Sequence, residues 1–571
     1  MDILLVASAF NSLCQRVHAE LTDHGHRVEV VLASHGDDAV RDAVRDTAPE
    51  LIVAPMLKTA LPEDVWREHT CLIVHPGPPG DRGPSSLDWA VTEGAQRWGV
   101  TVLRAEAGMD AGDIWASVPF TVPPVGKSDL YRGEVSDAAL TAVLLAVERY
   151  AEGSFKPRPQ SDPAISVTWR DFFRQERRRV DWRYDDTATV LRKLRGADSQ
   201  PGVLDELLGR EVFLHGGHPE DELRGRPGDL LATRDGAVCR ATRDGAVWIP
   251  ELRPRRGSGD PAPFRRPAAD VLGDRLRDVP ELPAPLEPPP GHRTWSDIRY
   301  RRHGDVGFLA FSFPGGAMST SQCRRLLAAY RHALARPTPV LVLGGVRDFF
   351  SNGIHLNVIE AADDPAKESW TNLNALNDLV EAVLRTTDRL VVAALGGNAA
   401  AGGVMLALAA DEVWCRSGVV LNPHYRRMGL YGSEYWTYSL PRRAGDGTAE
   451  RLTREALPVS AAEAVRLGLA DRLLRASPGA FPDEVGRLAA ALAGASDVRE
   501  RIAAKAAARD RDERRRPLAA HRQEELARMH GIFFDPGAPY HALRSAFVRK
   551  VPSGSPRPLA PAPAPLPGEA R

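Results

Sequence analysis

Short runs of consecutive apolar residues recur near the start of the chain, and amphipathic segments separate them. The runs lie at residues 3–7, 28–32, 51–54, 72–74 and 100–103. Such a run is typical of a parallel strand that is buried on both faces. Leu13, Val17 and Leu21 recur at the spacing of one helix face. Because strands that alternate with helices predict a doubly wound α/β domain, we assign residues 1–156 to such a domain.

The hydrophobic pattern changes from residue 157, where shorter β-like pieces replace the long runs. The sequence Ala-Thr-Arg-Asp-Gly-Ala-Val occurs at residues 232–238 and again at 241–247. Its two Asp-Gly pairs predict tight hairpin turns. We therefore predict a small β-domain over residues 157–280, and the proline-rich sequence after it predicts a linker over residues 281–297.

A second large α/β domain is predicted over residues 298–550. Apolar runs at 307–311, 340–345 and 390–395 indicate strands, and helical segments lie between them. The last part of this domain is helical and highly charged, as in a solvated helix face. Residues 551–571 are rich in proline and alanine, which predicts a disordered tail.

The composition is that of a soluble globular protein, and it narrows the choice of partners. The chain has 571 residues, of which 43% are hydrophobic and 26% charged, and its formal net charge is −1. Neither nucleic acid nor a membrane is therefore indicated as a partner. The five cysteines form no Cys-x-x-Cys pair, which argues against a metal site or a disulfide framework and favours a reducing compartment. We predict a cytoplasmic protein without a bound metal.

The first candidate for chemistry is a histidine at the end of an apolar run. Residues 71–74 stop at His75, and a loop rich in proline and glycine follows. Ligands of open α/β sheets bind at such carboxyl ends of strands. A later turn carries Asp113, and the two side chains make an acid/base pair if the fold brings them together. The alternative is a loop histidine with a satisfied hydrogen bond and an aspartate that only forms a turn.

Up to about residue 122, the chain resembles the catalytic domain of 10-formyltetrahydrofolate-dependent formyltransferases. That family carries an Asn-x-His-Pro segment, a loop with Arg-Gly and a later Asp-x-Gly-Asp. Here residues 73–76 (Ile-Val-His-Pro), 81–83 (Asp-Arg-Gly) and 110–113 (Asp-Ala-Gly-Asp) follow in that order. One departure is Ile73, which replaces an asparagine that polarises the formyl carbonyl in the family.

This resemblance implies that 10-formyltetrahydrofolate is a substrate. It also implies that His75 acts as general base and acid, with Asp113 orienting it. The loss of the asparagine at Ile73 speaks against ordinary formyl transfer to an amine. In the same family a small OB-like β-barrel follows the catalytic domain, so we expect one over residues 157–280.

The later part of the chain resembles the crotonase (enoyl-CoA hydratase/isomerase) family. Residues 350–356 (Phe-Ser-Asn-Gly-Ile-His-Leu) and 397–403 (Gly-Asn-Ala-Ala-Ala-Gly-Gly) correspond to its two glycine-bearing segments. The resemblance implies coenzyme A as a ligand, with the backbone N–H groups of Ile354 and Gly402 forming an oxyanion hole for a thioester oxygen. Met405 replaces a catalytic glutamate of the hydratases, so we do not expect water addition to a double bond.

Residues 422–438 are crowded with aromatic side chains around one acid, Glu434. A carboxyl group in such surroundings should have a raised pKa, as suits a proton donor or acceptor. We therefore predict that Tyr425 and Glu434 move a proton in the second site. The alternative is an ion pair of Glu434 with Arg442 or Arg443.

Four residues are predicted to contact the substrates. Ile73 occupies the position of the family's asparagine at the folate site. Gln15, near the start of the first predicted helix, and Arg132, between the domains, are predicted to contact coenzyme A if its arm spans both sites. Arg544 lies in the final helices, which reach the CoA phosphates in crotonases. Arg16, beside Gln15, is expected on a solvated helix face.

A formyltransferase-like half fused to a crotonase-like half resembles the HypX/HoxX-type maturation proteins of nickel–iron hydrogenases. Residues 432–438 (Gly-Ser-Glu-Tyr-Trp-Thr-Tyr) strengthen the resemblance. The family is taken to make carbon monoxide for the hydrogenase iron, which implies formyl transfer from 10-formyltetrahydrofolate to coenzyme A and decarbonylation of formyl-CoA. Small-molecule substrates and other hydrogenase maturation proteins are the expected partners.

Two alternatives to this function remain open at the sequence level. One is a formyltransferase or hydrolase that acts on an amine or on water, with the crotonase-like half as an acyl-CoA-binding module. The other is a maturation scaffold without enzymatic activity, whose pockets are relics.

Overall fold

The computed structural model describes residues 1–551. The predicted disordered tail, 551–571, lies outside the described residues except for Val551, which is exposed. Within the described part of the chain, no helix combines the length and the apolar character that a bilayer span requires.

The first part of the chain forms one six-stranded sheet with helices on both faces. Its strands are β1 (Asp2–Ala7), β2 (Arg27–Leu32), β3 (Leu51–Ala54), β4 (Cys71–His75), β6 (Arg97–Arg104) and β7 (Ile114–Thr121), and β5 (Asp81–Arg82) lies apart from them. Its helices are α1 (Ser12–Asp23), α2 (Asp37–Thr47), α3 (Glu63–Glu68), α4 (Ser86–Glu93), α5 (Lys127–Leu130) and α6 (Ser136–Glu152), with short turns of other helix types at Ala33–His35 and Tyr131–Val135.

The strand order in this sheet is β2-β1-β3-β4-β6-β7. Strands β1 to β4 are parallel, whereas β6 and β7 run antiparallel to their neighbours. Alternate residues of β1 enter two different cores, Ile3 and Leu5 on the face that α1 and α6 cover, and Leu4 and Val6 on the face of α2 and α3. This burial of both faces confirms the predicted doubly wound domain.

The middle region contains mostly short antiparallel strands. They are β8 (Thr168–Trp169), β9 (Val203–Leu207), β10 (Arg210–His215), β11 (His218–Glu220), β12 (Leu230–Arg234), β13 (Ala237–Ala241), β14 (Ala246–Ile249), β15 (Glu251–Pro254) and β16 (Arg266–Pro267). The helices are α7 (Gln175–Arg178), α8 (Thr187–Gly196) and α9 (Ala268–Leu272), followed by a 3-10 turn at Gly273–Leu276.

The expected OB-like barrel appears as two four-stranded sheets around a shared core. Their orders are β16-β15-β10-β9 and β11-β14-β13-β12, and in residues 1–551 no strand pairing joins the two into one closed sheet. The predicted hairpin turn between β12 and β13 is present, with φ of 45° at Asp235 and 84° at Gly236. Positive φ at both turn residues matches the tight turns that Asp-Gly favours.

The proline-rich sequence 281–297 is packed rather than loose. Leu282 donates its N–H to the Thr233 carbonyl (2.9 Å), and Arg234 donates to the Thr294 hydroxyl (2.6 Å). Asp297 forms an ion pair with Arg325 of the following domain (2.6 Å). The predicted linker therefore fixes the middle region to the domain that follows.

The last part of the chain forms a second six-stranded sheet and a long series of helices. Its strands are β17 (Ile298–His303), β18 (Val306–Phe311), β19 (Val340–Gly344), β20 (Leu390–Leu395), β21 (Ala399–Ala400), β22 (Glu412–Arg416), β23 (Val420–Asn422), β24 (Val459–Ser460) and β25 (Arg472–Leu474). Its first helices are α10 (Thr320–Leu334), α11 (Leu356–Ala361), α12 (Pro365–Leu384), α13 (Gly402–Leu408) and α14 (Trp436–Ala444). The remaining helices are α15 (Asp446–Glu455), α16 (Ala461–Arg466), α17 (Phe481–Ala493), α18 (Val498–Arg515), α19 (Leu518–Phe534) and α20 (Pro539–Val548), and 3-10 turns lie at Pro314–Gly316 and Tyr425–Met428.

The order of the main sheet here is β17-β18-β19-β20-β22-β25, and β21, β23 and β24 form a small second sheet. All neighbours in the main sheet are parallel except β17 and β18. The loops after β19 and β20 lead to α11 and α13, and the bridge between Ser351 and Ala399 brings these loops together. We refer below to residues 1–280 as the front half and to residues 298–550 as the rear half.

Candidate active sites

The front site is centred on His75, the last residue of β4. Its Nε2 lies 3.0 Å from Asp81 Oδ2, and its Nδ1 lies 3.4 Å from Asp110 Oδ1. Asp81 belongs to β5, and Asp110 lies in the loop between β6 and β7. His75 is only 4% exposed and Asp81 only 5%. A buried imidazole therefore lies between two carboxylates.

The two carboxylates determine the protonation of His75. Burial alone would lower the pKa of His75, but the hydrogen bonds and charges of Asp110 and Asp81 outweigh it and raise this pKa to about 9. Burial would raise the pKa of Asp110, yet the contact with His75 lowers it overall. Both directions favour an imidazolium between carboxylates.

The predicted partner of His75, Asp113, is not in contact with it. Asp113 immediately precedes β7, and its backbone carbonyl accepts the Arg104 N–H (3.0 Å). No polar contact of its carboxylate with His75 occurs in residues 1–551. Strand β7 pairs antiparallel with β6, which fixes Asp113 at the start of the ladder and leaves Asp110, three residues earlier, at the tip of the loop.

Two hydrogen bonds hold Asp110 in place, and a tight loop covers the His75–Asp81 pair. Gly83 donates its N–H to Asp110 Oδ2 (3.1 Å), and Gln160 donates to the Asp110 carbonyl (2.7 Å). A Cβ at Gly77 would lie 2.3 Å from both Asp81 Oδ2 and His75 Nε2. The proline- and glycine-rich loop therefore closes directly over the His75–Asp81 pair, and Gly77 allows this close approach.

A segment from the middle region covers the same loop. Strand β8 pairs with β5, and Arg170, just after β8, donates from Nε to Asp81 Oδ1 (2.7 Å). Arg170 also pairs with Glu93 (3.2 Å). Asp81 is thus shared between an imidazole and a guanidinium, which balances its charge in a buried place.

Ile73, predicted at the folate position, lies two residues before His75 on β4. It pairs with Ala54 of β3 and Leu103 of β6, and it is partly buried against the core on the α2 face. Its side chain has no hydrogen-bonding group. The position that carries an amide in formyltransferases therefore presents only hydrocarbon here.

The rear site is built around the start of α13. Gly353 and Gly402 approach closely, since a Cβ at Gly353 would lie 3.1 Å from the Gly402 nitrogen. Within residues 1–551, the N–H groups of Ile354 and Gly402 have no hydrogen-bond acceptor. First-turn N–H groups of a helix have no partner inside the helix. The predicted oxyanion donors are therefore free and close to each other.

Glu434 and Tyr425 lie against these donors. A Cβ at Gly402 would lie 2.6 Å from Glu434 Oε1, so this carboxyl group is packed directly on the first residue of α13. Tyr425 donates its hydroxyl to Glu434 Oε2 (2.7 Å). Glu434 is only 2% exposed and Tyr425 5%. The two residues predicted to move a proton are adjacent and beside the oxyanion donors.

Burial raises the pKa of Glu434 to about 7. The Tyr425 hydroxyl opposes this by hydrogen bonding, and the nearby Glu525 carboxylate adds to it. The alternative ion pairs are wrong, because Arg442 bonds Asp512 (3.2 Å) and Arg443 bonds Asp471 (2.8 Å). In residues 1–551, no cation bonds Glu434.

Met405, the residue that replaces a hydratase glutamate, is fully buried in the apolar core of the rear half. His424 binds the Asn422 carbonyl through Nδ1 (2.8 Å). Burial lowers the pKa of His424, so this histidine is held neutral. Within residues 1–551, the carboxyl group that packs against the first residue of α13 is that of Glu434.

Arg132 lies between the two halves, where the sequence placed it. It donates to Asp348 of the rear half (2.7 Å), and its guanidinium lies 4.3 Å from the centre of the Phe349 ring. Arg347 forms the reciprocal pair with Asp129 of the front half (3.0 Å). Arg132, Asp348 and Phe349 line a narrow cleft between the halves.

The expectation of a solvated Arg16 is wrong. Arg16 is 6% exposed and pairs with Asp137 (2.5 Å), which also pairs with Arg416 of the rear half (3.0 Å). The face of α1 that would be solvated in an isolated domain is thus covered by the rear half. Gln15 is partly buried and donates to the Phe10 carbonyl (3.0 Å).

Arg544, predicted to reach coenzyme A, is buried on α20. Its Nε donates to Glu360 of α11 (2.8 Å), and its guanidinium lies 5.0 Å from the centre of the Tyr540 ring. The residue therefore links the last helix to α11 in the structure.

Asp81, Asp110 and Glu525 were not identified by the sequence analysis, although Asp110 opens the Asp-x-Gly-Asp segment and Asp81 precedes the Arg-Gly pair.

Comparisons with known proteins match both halves and their combination. Family models match residues 31–146 as formyl transferase, 173–259 as the formyl transferase C-terminal domain and 317–533 as enoyl-CoA hydratase/isomerase. The hydrogenase maturation factor HoxX of Bradyrhizobium diazoefficiens is 48% identical over 97% of this chain and 95% of its own length. The mitochondrial 10-formyltetrahydrofolate dehydrogenase of Homo sapiens is 29% identical over 39% of this chain and 25% of its own.

A solved structure extends this similarity over both halves. The crystal structure of HypX from Aquifex aeolicus in complex with tetrahydrofolic acid is 43% identical, with a TM-score of 0.92. The match covers 97% of each chain. The arrangement of the two halves is therefore common to both proteins.

Proposed function

Because this chain belongs to the HypX/HoxX family of hydrogenase maturation factors, we propose that it makes carbon monoxide for a hydrogenase in two steps. The front half transfers the formyl group of 10-formyltetrahydrofolate to the thiol of coenzyme A. The rear half splits formyl-CoA into carbon monoxide and coenzyme A. The observation that carries the proposal is the buried Tyr425–Glu434 pair beside free N–H groups, because a module that only binds acyl-CoA needs no proton acceptor there.

The first step exchanges one bond of the formyl carbon for another. The bond to the folate nitrogen breaks, the bond to the CoA sulfur forms, and the thiol proton ends on the folate nitrogen. His75 is suited to deliver that proton because Asp81 and Asp110 favour its charged form. In this proposal Asp110 has the orienting role that the sequence gave to Asp113. A thiolate attacks more readily than an amine, which offsets the lack of a polarising group at Ile73.

The second step needs no added reactant. The C–H and C–S bonds of the formyl thioester break, carbon monoxide leaves, and the proton ends on the CoA sulfur. The N–H groups of Ile354 and Gly402 would hold the formyl oxygen. Glu434 would accept the formyl proton and return it to sulfur, while Tyr425 holds the carboxylate by its hydrogen bond.

The CoA arm would reach both sites through the cleft between the halves. Arg132 lines that cleft, and Gln15 lies on the same helix as Arg16, which also lines it. Arg544 is a candidate for the CoA phosphates only after its ion pair with Glu360 opens. We further propose that the carbon monoxide passes to other hydrogenase maturation proteins.

Incubation with 10-formyltetrahydrofolate labelled in the formyl carbon, with and without coenzyme A, tests the proposal. Released gas is trapped on deoxyhaemoglobin, and formate is measured in the same samples. We expect labelled carbon monoxide that depends on coenzyme A. Labelled formate as the sole product would indicate a hydrolase, and a formylated amine without carbon monoxide would indicate an amine formyltransferase.

A further inference from the structure

A second buried carboxylate, Glu525 of α19, lies beneath the segment that carries Glu434. Glu525 is fully buried. Its Oε2 accepts the Tyr435 N–H (2.9 Å), and its Oε1 accepts both the N–H (2.9 Å) and the hydroxyl (2.6 Å) of Thr437. The Ser433 hydroxyl lies 3.4 Å from Oε2. One side chain from a distant part of the chain thus receives donors along residues 433–437, which we call the Glu434 turn.

The Glu434 turn has an unusual backbone. Glu434 and Tyr435 have φ of 60° and 61°, so two consecutive residues other than glycine adopt the left-handed conformation. This conformation is strained for residues other than glycine and persists only where surrounding contacts offset the strain. The turn also leads into α14, whose first N–H groups lack a side-chain cap from the helix itself. Glu525, which belongs to the separate helix α19, supplies that cap by accepting these N–H groups.

Asn377 of α12 holds the turn from the opposite side. Its Oδ1 accepts the Glu434 N–H (2.8 Å), and its Nδ2 donates to the Ser433 hydroxyl (3.0 Å). The backbone of Glu434 is therefore fixed by α12, and the next residues by α19. The direction in which the Glu434 carboxyl group points, toward Gly402, depends on both.

The two carboxylates also interact electrically. Burial raises the pKa of Glu525 to about 7, while the hydrogen bonds from Thr437, Tyr435 and Ser433 act in the opposite direction. Glu434 is likewise raised to a pKa of about 7, by burial first, and Glu525 contributes to the rise. A coupled pair loses its protons in two steps. Glu525 accepts more donors than Glu434 and caps the N-terminus of α14, so the negative charge of the pair is favoured on Glu525.

Other titratable side chains also face the pair, among them Tyr431, whose pKa is raised by burial and in part by the charge of Glu525. Tyr425 donates to Glu434 from the 3-10 turn, and the thiol of Cys323 on α10 also feels its charge. His521, one turn before Glu525 on α19, contacts the Thr437 hydroxyl through Nδ1 (2.9 Å). Burial lowers the pKa of His521, so this histidine adds no fixed positive charge at neutral pH.

We propose that Glu525 is a positioning residue for the decarbonylation: it holds the Glu434 turn in its left-handed shape and places a negative charge beside Glu434. This inference rests on the proposed function of the rear half. It assigns to α19, which lies far along the chain from Ile354 and Gly402, the control of both the direction and the proton affinity of the Glu434 carboxyl group.

Formyl-CoA supplied directly to the full-length protein tests the inference without the formyltransferase step. The rate of carbon monoxide release is measured from weakly acidic to weakly alkaline pH for the wild type, Glu525→Gln and Glu525→Asp. Glu434 must be ionised to accept the formyl proton, so the rate rises with pH through its pKa. Loss of the neighbouring charge in Glu525→Gln should move this acid limb down by about one pH unit and lower kcat by about tenfold to a hundredfold with little change in KM.

Glu525→Asp keeps the negative charge but shortens the side chain by one methylene. The acid limb of its rate profile should therefore coincide with that of the wild type, while kcat falls. Glu524→Gln is the matched control, because Glu524 is the neighbouring acid on α19 and pairs with Arg516 at the surface (2.5 Å); its profile should not move. A folded Glu525→Gln with the wild-type acid limb would overturn the inference and leave Glu525 as a cap alone.

Two further outcomes are distinguishable. If Glu525→Gln fails to fold, an unchanged kcat in Glu525→Asp overturns the positioning role. If the wild type itself releases no carbon monoxide from formyl-CoA, the proposed function fails and the positioning role fails with it.

Discussion

The front and rear sites each bury a titratable group that favours its protonated form, but this form is charged at His75 and neutral at Glu434. His75 has two carboxylates as neighbours, and Glu434 has a phenol and a second carboxylate. Both reacting groups are almost completely buried. Burial alone favours the neutral form of each. At His75 the neighbouring carboxylates outweigh burial and keep the group charged, whereas at Glu434 burial is the largest cause of the raised pKa.

The origin of those neighbours also differs. In the front site, Asp81 of β5 and Asp110 both come from connections between strands of the sheet that carries His75. In the rear site, Glu525 belongs to α19 and lies 91 positions further along the chain than Glu434. The front site can thus be assembled by a single domain, whereas the rear site depends on the packing of C-terminal helices over the crotonase-like core.

The largest expected effect is the loss of one reaction step while the other step continues. Glu434→Gln should lower carbon monoxide release about a thousandfold, because the formyl proton loses its acceptor, while CoA-dependent release of tetrahydrofolate continues. His75→Asn should show the reverse pattern, with formyl-CoA still decarbonylated when it is supplied directly. Product analysis by mass spectrometry checks both variants. Equal loss of both steps in either variant would contradict two independent sites.

The next effect distinguishes the observed partner of His75 from the predicted one. Asp110→Asn should lower formyl transfer about a hundredfold, because a neutral amide no longer stabilises the imidazolium. Asp113→Asn is the matched control and should stay near the wild-type rate, since its carboxylate makes no contact with His75. Initial rates of tetrahydrofolate formation measure both. A larger loss in Asp113→Asn would reverse the assignment.

A smaller effect is expected from filling the space beside the oxyanion donors. Gly402→Ala places a methyl group 2.6 Å from Glu434 Oε1 in the present geometry, so the carboxyl group must move. We expect a fall of about tenfold in kcat for decarbonylation and an unchanged rate of formyl transfer. Met405→Leu, on the buried side of the same helix, serves as a control for general disturbance of α13. If both variants lose activity equally, the effect is structural.

The smallest effect is a shift in pH dependence at the front site. If His75 acts as an acid, formyl transfer falls as the pH rises past its pKa of about 9. Asp81→Asn removes one of the two charges that raise this pKa, so the alkaline limb should move to lower pH. The maximal rate should fall only a few-fold, because Asp110 remains. Arg170→Met should move the alkaline limb to higher pH, because Asp81 then no longer pairs with a guanidinium. The rate of formyl transfer is measured as a function of pH. An unchanged alkaline limb in Asp81→Asn would contradict the role of Asp81 in raising the pKa of His75.

Local sequence patterns determined much of the fold. Consecutive apolar residues specified the strands of both sheets, because a strand covered on two faces must be hydrophobic throughout. The Asp-Gly pair at 235–236 specified its hairpin turn, because that dipeptide adopts positive φ easily. The resemblance of short segments to known families predicted the roles of His75, Ile354 and Gly402, and the aromatic residues around one acid predicted those of Tyr425 and Glu434.

Tertiary structure alone decided which charges meet. The sequence analysis predicted Asp113 as the partner of His75, and the antiparallel register of β6 and β7 placed Asp110 there instead. Arg16 follows a helix pattern that indicates solvent, and the rear half buried it against Asp137 and Arg416. Glu525 belongs to a charged helix that looks solvated throughout. The periodicity of apolar residues indicates which face of a helix or strand is buried. The partner of a charged side chain depends on contacts between elements, and the order of elements along the chain does not reveal these contacts.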